Sequence, residues 1–150
     1  MQGQVQGELN DTGIAQAIQV RDCLATITLD AIVASDLWRS IHTARIIAEP
    51  HGLQVVTTPL LRERDWGDFT GRYIPDLSTV EKWPDNVEPL PQLLERARQF
   101  LDFIRATYPG QTVLAVGHGI VNKAIQAVHL GKQMKEVDRM KNAEVRILDI

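Results

Sequence analysis

Three residues have types and settings suited to chemistry: Arg39, His118 and Glu63. Arg39 follows the short apolar run Ala31-Ile32-Val33-Ala34 and the capping candidates Ser35 and Asp36, which places it one turn into a helix. His118 follows the apolar run Thr112 to Val116 and opens a second amphipathic stretch, Ile120, Val121, Ala124, Ile125 and Val128. If both runs are parallel strands, both exits lie on one sheet edge. A guanidinium, an imidazole and free helical N–H groups then converge on one spot, which is an anion site. Gly117 and Gly119 let the backbone approach a ligand closely around His118. Taken alone, Gly-His-Gly serves equally well as a structural turn. It is not a dinucleotide fingerprint, because Asn122 occupies the place of the third glycine. Glu63 admits two readings: a partly buried acid at a pocket mouth, or a solvated acid paired with Arg62 or Arg64.

The elements that must position these groups alternate in type. Residues 1–10 are polar with Gly3 and Gly7, and read as a loop. Asp11 or Thr12 caps a helix carrying Ile14, Ala17, Ile18, Leu24 and Ala25. The strand at 31–34 and its helix, with Leu37, Ile41, Ala44 and Ala48 inward and Pro50 as the stop, are followed by a second short strand at 54–57. From Arg62 to Pro91 no period dominates, and four prolines and two tryptophans mark a long excursion of the kind that is usually functional or mobile. Leu90, Leu93, Leu94, Ala97, Leu101 and Ile104 define the clearest amphipathic helix. Gly131 is a C-cap candidate for the helix after His118, and residues 144–150 read as a last strand. The alternation predicts an α/β fold with a mostly parallel sheet and ligands beyond the strand C-termini.

The bulk numbers fit one domain. The chain has 150 residues, 44% hydrophobic and 23% charged, with a net charge of −3. That balance lacks the basic footprint of a nucleic-acid binder. No apolar run approaches a membrane span and the N-terminus has no signal pattern, so neither a nucleic-acid nor a membrane partner is expected. Cys23 is the single cysteine and cannot pair internally, which fits a cytoplasmic location.

Taken together, the candidate residues fall into a known pattern. The run from Ser35 to Ala44 resembles the S-x-L-x-R-A-x-x-T-A segment of the histidine phosphatases, the phosphoglycerate mutase-like superfamily, with Ser40 in the place of alanine. Leu61-Arg62-Glu63 with Gly67 and Gly71 resembles their L-x-E-x-x-x-G-x-x-x-G segment, and Gly117-His118-Gly119 their second histidine motif. Gln2-Gly3-Gln4, Leu9, Gly13, Gln16 and Ala17 resemble the stretch after their phosphate loop. The resemblance implies a three-layer fold with helices on both faces of the sheet, and metal-independent, cofactor-free hydrolysis of phosphomonoesters through a phosphohistidine. Arg39 and His118 would hold the phosphoryl oxygens, and Glu63 would act as general acid and then base. Gln2 and Gly3 would line the substrate side, and the Gly119 amide would contact phosphate. The implied ligand is a small phosphorylated metabolite or inorganic phosphate, and a homodimer is compatible. Residues 64–117 leave no room for the long insertion of the glycolytic mutases, which favours the compact phosphatase branch. In the excursion, Trp66, Arg72, Tyr73 and Trp83 are candidates for substrate contacts or core anchors. Glu88 stands where the family has a pocket-lining Glu-Ser pair, but Pro89 replaces the serine, so its role stays open.

One part of the pattern is missing. The family's nucleophile is a histidine in an R-H-G motif ending a first strand, expected immediately before residue 2. His42, His51 and His129 do not fit that motif, and no arginine precedes Arg21. The expectation is therefore a 1–150 domain incomplete at its N-terminus, ending at Val145, Ile147, Leu148 and Ile150 where the family adds another strand. Such a chain would be inactive or severely impaired. A start at an internal methionine or a fragment of a longer chain, a phosphate binder without turnover, and strand completion by a second chain are the three explanations.

Overall fold

The computed structural model describes residues 3–4, 6–72 and 82–150. Its centre is β1 (Ala31–Ser35), in which every residue is buried. β1 pairs in parallel with β2 (Val55–Thr58) on one side and β3 (Val113–Val116) on the other, giving the order β2-β1-β3. Ala34 stands opposite Thr57 and Val116 in register, so the three strands end at nearly the same level. That common edge is where Ser35, Thr58 and Gly117 leave the sheet.

Strand alternation sorts the β1 side chains between two layers. Val33 faces α3 (Leu90–Thr107) and α4 (Gly119–Leu130), in a cluster with Leu93, Ala97, Leu101, Val121 and Ala124. Ile32 and Ala34 face α2 (Trp38–Ala48), in a second cluster with Ala44 and Ala48. α1 (Asp11–Leu24) packs on α2. The result is the three-layer α/β arrangement expected from the sequence.

Boundaries differ from expectation where local hydrogen bonding decides them. Asn10, not Asp11 or Thr12, caps α1 by accepting from the Gly13 N–H at 2.8 Å. α2 has no side-chain cap; Ser35 Oγ accepts the Leu37 N–H at 3.2 Å instead, and the helix starts at Trp38. Gly131 takes the left-handed conformation, with φ +65°, and closes α4 as predicted. Residues 144–150 do not form the expected strand. Together with β3 they line a cleft of about 480 Å³, and among the described residues no backbone hydrogen bond joins them to that strand, whereas a strand needs a partner ladder. Arg146 fixes this segment instead, donating to Glu144, to the buried Gln126 and to the Asp138 carbonyl. Among the described residues β3 pairs only with β1, and unlike β1 it is partly exposed throughout. No helix among the described residues is long and apolar enough to cross a membrane.

Candidate active site

The exit of β1 delivers Arg39 to the first turn of α2, and the exit of β3 delivers His118 to the start of α4. Both side chains, with Gly117 and Gly119, line the cleft beside β3. Arg39 Nη2 donates to the Gly3 carbonyl at 3.1 Å, which ties the N-terminal turn to the site. Gly3 has φ +56°, a conformation in which a side chain would be strained, and it lies beside Thr70, Arg64 and Trp66. Burial pulls the Arg39 guanidinium below its ordinary pKa, and the charge of Glu63 opposes that shift. Gln2 lies outside the described residues, as does Tyr73.

Among the described residues the His118 ring is held on one edge. Its Nε2 lies 2.9 Å from Ser35 Oγ and 3.1 Å from Ser40 Oγ. Burial pushes the imidazole pKa down to about 3, with the Arg39 and Arg96 charges adding to the effect and Asp36 opposing it. His118 is therefore neutral at pH 7. Asp36 is in turn paired with Arg62 through two bonds of 2.7 Å, linking the β1 exit to the segment after β2. That pairing holds the Asp36 carboxyl below its usual range.

Glu63 follows neither of the two readings in full. It is partly buried, but its carboxylate is not paired with the Arg62 or Arg64 side chains and does not line the cleft. Oε1 accepts the Arg64 and Val121 N–H groups at 2.9 and 3.1 Å, and Oε2 accepts the Ile120 N–H at 3.2 Å. Glu63 thus caps α4, where the helix dipole favours an anion. The expected row of free N–H groups at this helix is reduced accordingly, and the Gly119 N–H, which makes no hydrogen bond to the described residues, is the one left for a ligand. Gln4 Nε2 donates to the Glu63 carbonyl at 3.4 Å, bringing the N-terminal turn against the same residue.

The loop bearing Glu63 rests on a buried ion pair that the sequence left unassigned. Glu88 and Arg96 have side chains only 5% and 14% exposed. Arg96 Nε and Nη2 bond the two Glu88 oxygens at 3.0 and 2.9 Å, and Nη1 donates to the Leu60 and Arg62 carbonyls at 2.9 and 2.7 Å. Glu88 Oε1 also accepts the Asp65 N–H at 3.2 Å. Glu88 is a brace under the loop and does not line the cleft. Arg64 stacks over Trp66 and Trp83 with its guanidinium carbon 4.9 and 5.3 Å from the ring centroids, and Trp66 is a buried anchor.

An open parallel sheet whose strand exits gather an arginine, a neutral histidine, a capped helix start and a nearby carboxylate has the arrangement with which α/β proteins can bind an anion at the sheet edge. The particular family follows from comparison: residues 1–150 match the histidine phosphatase superfamily (branch 1), and the chain belongs to it. It is 34% identical over 128 residues to the uncharacterized phosphatase PhoE of Bacillus subtilis, covering 83% of this chain and 65% of that protein. It is 32% identical over 144 residues to the probable phosphoglycerate mutase GpmB of Cronobacter sakazakii, covering 87% of this chain and 67% of that one. The chain thus spans about two thirds of the length of these relatives. Among solved structures, a mycobacterial glucosyl-3-phosphoglycerate phosphatase in complex with inorganic phosphate superposes with a TM-score of 0.83 at 26% identity, over 95% of this chain and 80% of that chain.

Proposed function

We propose that residues 1–150 form one histidine phosphatase-like domain whose site serves metal-independent hydrolysis of small phosphomonoesters. The observation that carries this reading is the convergence of Arg39, His118 and the Gly119 N–H on one cleft at the sheet edge. Phosphoryl transfer asks little of a protein beyond positioning and compensating charge on the oxygens. Arg39 supplies charge, while His118 and the Gly119 amide supply neutral donors. In the reaction the family implies, a histidine nitrogen attacks phosphorus as the ester P–O bond breaks, and the leaving oxygen takes a proton from Glu63. Water then attacks the phosphohistidine, Glu63 takes its proton, and the N–P bond breaks. In the structure both Glu63 oxygens cap α4, so the step requires the carboxylate to turn into the cleft; Oε2, which accepts a single N–H, is the oxygen that retains a lone pair for the proton.

The nucleophilic histidine is not supplied within residues 1–150. Among the described residues His118 is the one histidine lining the cleft, and its Nε2 is engaged by two serines. By itself this chain therefore binds phosphate with little or no turnover, which is also the behaviour of a non-catalytic phosphate-binding module. A phosphatase assay of the 150-residue chain beside one preceded by an apolar strand ending in Arg-His-Gly tests both statements. Turnover appearing only with the strand, and lost again in Glu63→Gln, is the expected result. Equal activity of the two chains would overturn the account of the nucleophile.

A further inference from the structure

We propose that Ser35 and Ser40 clamp the Nε2 edge of His118 and fix the neutral ring with its proton on Nδ1, where it serves the cleft as a hydrogen-bond donor. Hydrogen-bond accounting at the two serines leads to this assignment. Ser35 is wholly buried, and its oxygen already accepts the Leu37 N–H at 3.2 Å. Its remaining neighbour is His118 Nε2 at 2.9 Å. A hydroxyl carries one proton and must place it on an acceptor. If Nε2 carried the ring proton, it would donate to Ser35, and the Ser35 hydroxyl proton would be sealed in the interior with no acceptor, an unfavourable arrangement. If Nε2 is bare, Ser35 donates to it and every group at this point is satisfied.

Ser40 is compatible with the same choice. It is 3% exposed, 3.1 Å from Nε2 and 3.5 Å from the Gly117 carbonyl, so its hydroxyl either shares the single Nε2 lone pair with Ser35 or donates to that carbonyl. The opposite edge of the ring is open. Nδ1 makes no hydrogen bond to the described residues, and it is not a sealed atom, since His51 Nε2 is the buried side-chain polar atom without a partner among them. The ring lines the cleft, so Nδ1 is the nitrogen available to a ligand. The charged groups around the ring, Arg39 on α2, Arg96 on α3 and Asp36 at the β1 exit, sum to a surplus of positive charge that opposes a second ring proton.

Ser40 stands where the resembled pattern has alanine, so this chain places a second hydroxyl on Nε2. Ser35 and Ser40 are positioning residues that act through the ring, Ser35 wholly buried and Ser40 3% exposed at the cleft wall. The consequence for the cleft is a single neutral donor that needs no proton uptake to meet an oxyanion. Only that last step rests on the phosphate reading.

The test is nitrogen NMR of the full chain with ¹⁵N-labelled histidine near pH 7. The expected spectrum has a protonated, pyrrole-type Nδ1 and a bare, pyridine-type Nε2 for His118. Ser40→Ala should shift the Nε2 resonance while leaving it bare, since the Ser35 donor remains, and Ser40→Thr should restore it. Ser35→Ala/Ser40→Ala should admit the Nε2–H form and weaken inorganic phosphate binding about tenfold, roughly the worth of one or two neutral hydrogen bonds. A protonated Nε2 in the unsubstituted chain, or an Nε2 resonance indifferent to Ser40→Ala, overturns the proposal; both are read without relying on the more disruptive Ser35 change. Inorganic phosphate that leaves Nδ1 unmoved overturns the phosphate reading alone, and the tautomer assignment stands.

Discussion

Replacing Arg96 by methionine should unfold the chain at markedly lower denaturant while leaving the sheet residues untouched in sequence. The arginine neutralises Glu88 in a site where the acid is 5% exposed, and it also satisfies the Leu60 and Arg62 carbonyls through Nη1. Removing one partner of such a buried pair leaves an uncompensated charge, which costs about 3–5 kcal/mol. In urea, with a slope of about 2 kcal/mol/M, the midpoint should fall by about 2 M. In a thermal scan the same loss lowers Tm by roughly 6–20 °C for a domain of this size. Glu88→Gln in the Arg96→Met background removes the stranded charge and should recover part of the loss, of the order of 1–3 kcal/mol. Recovery stays incomplete, because the two carbonyls still lack their donor. Equilibrium urea unfolding of wild type, both single variants and the double variant gives the whole cycle. A loss below about 1 kcal/mol in Arg96→Met, or a double variant no more stable than that single one, would refute the reasoning that this ion pair braces the Glu63 loop.

Other predictions concern different parts of the molecule. The His118 pKa of about 3 in the fold lies below the ordinary 6.5, so between those values the unfolded chain takes up a proton that the folded chain refuses. Stability should therefore fall as pH is lowered from about 6.5, by up to about 1 kcal/mol per pH unit, and His118→Gln should flatten that slope in urea unfolding measured across the range. The Asp36–Arg62 pair has the sign usual for a carboxylate: its contribution is present above pH 3.8 and is lost as pH falls through the lowered folded value, so Asp36→Asn should reduce stability at pH 6 and make less difference near pH 3. Gly67→Ala should destabilise the fold by about 3 kcal/mol, since Gly67 has φ +51° and a Cβ there would lie 2.5 Å from the Asn86 carbonyl oxygen; an unchanged Tm would contradict it.

Much of this was legible in the sequence because it is written in local patterns. Short apolar runs rich in β-branched residues placed β1, β2 and β3 within a residue or two, although only β1 is buried throughout. Arg39 and His118 could be brought to one edge because the strand-to-helix turn is a local event and the parallel order does the rest. Contacts between distant segments were not legible. Glu63 looked like either a partly buried acid at a pocket mouth or a solvated acid paired with Arg62 or Arg64, and its capping of α4 depends on a helix start 57 residues away. Ser40 looked like a harmless exchange for alanine, yet its hydroxyl meets His118 across 78 positions. Residues 144–150 carry a strand's composition, but a strand exists only where a neighbour offers its backbone, and among the described residues no backbone hydrogen bond joins them to β3.

The central claim is that the exits of β1 and β3 build a phosphate site from Arg39, His118 and Gly119. Calorimetric titration of inorganic phosphate into the 150-residue chain, in a phosphate-free buffer at pH 7, addresses it most directly. One saturable site, with affinity lowered at least about tenfold in Arg39→Ala through loss of a charge-assisted hydrogen bond, is the predicted result. Absence of saturable binding, or binding indifferent to Arg39→Ala, would contradict it.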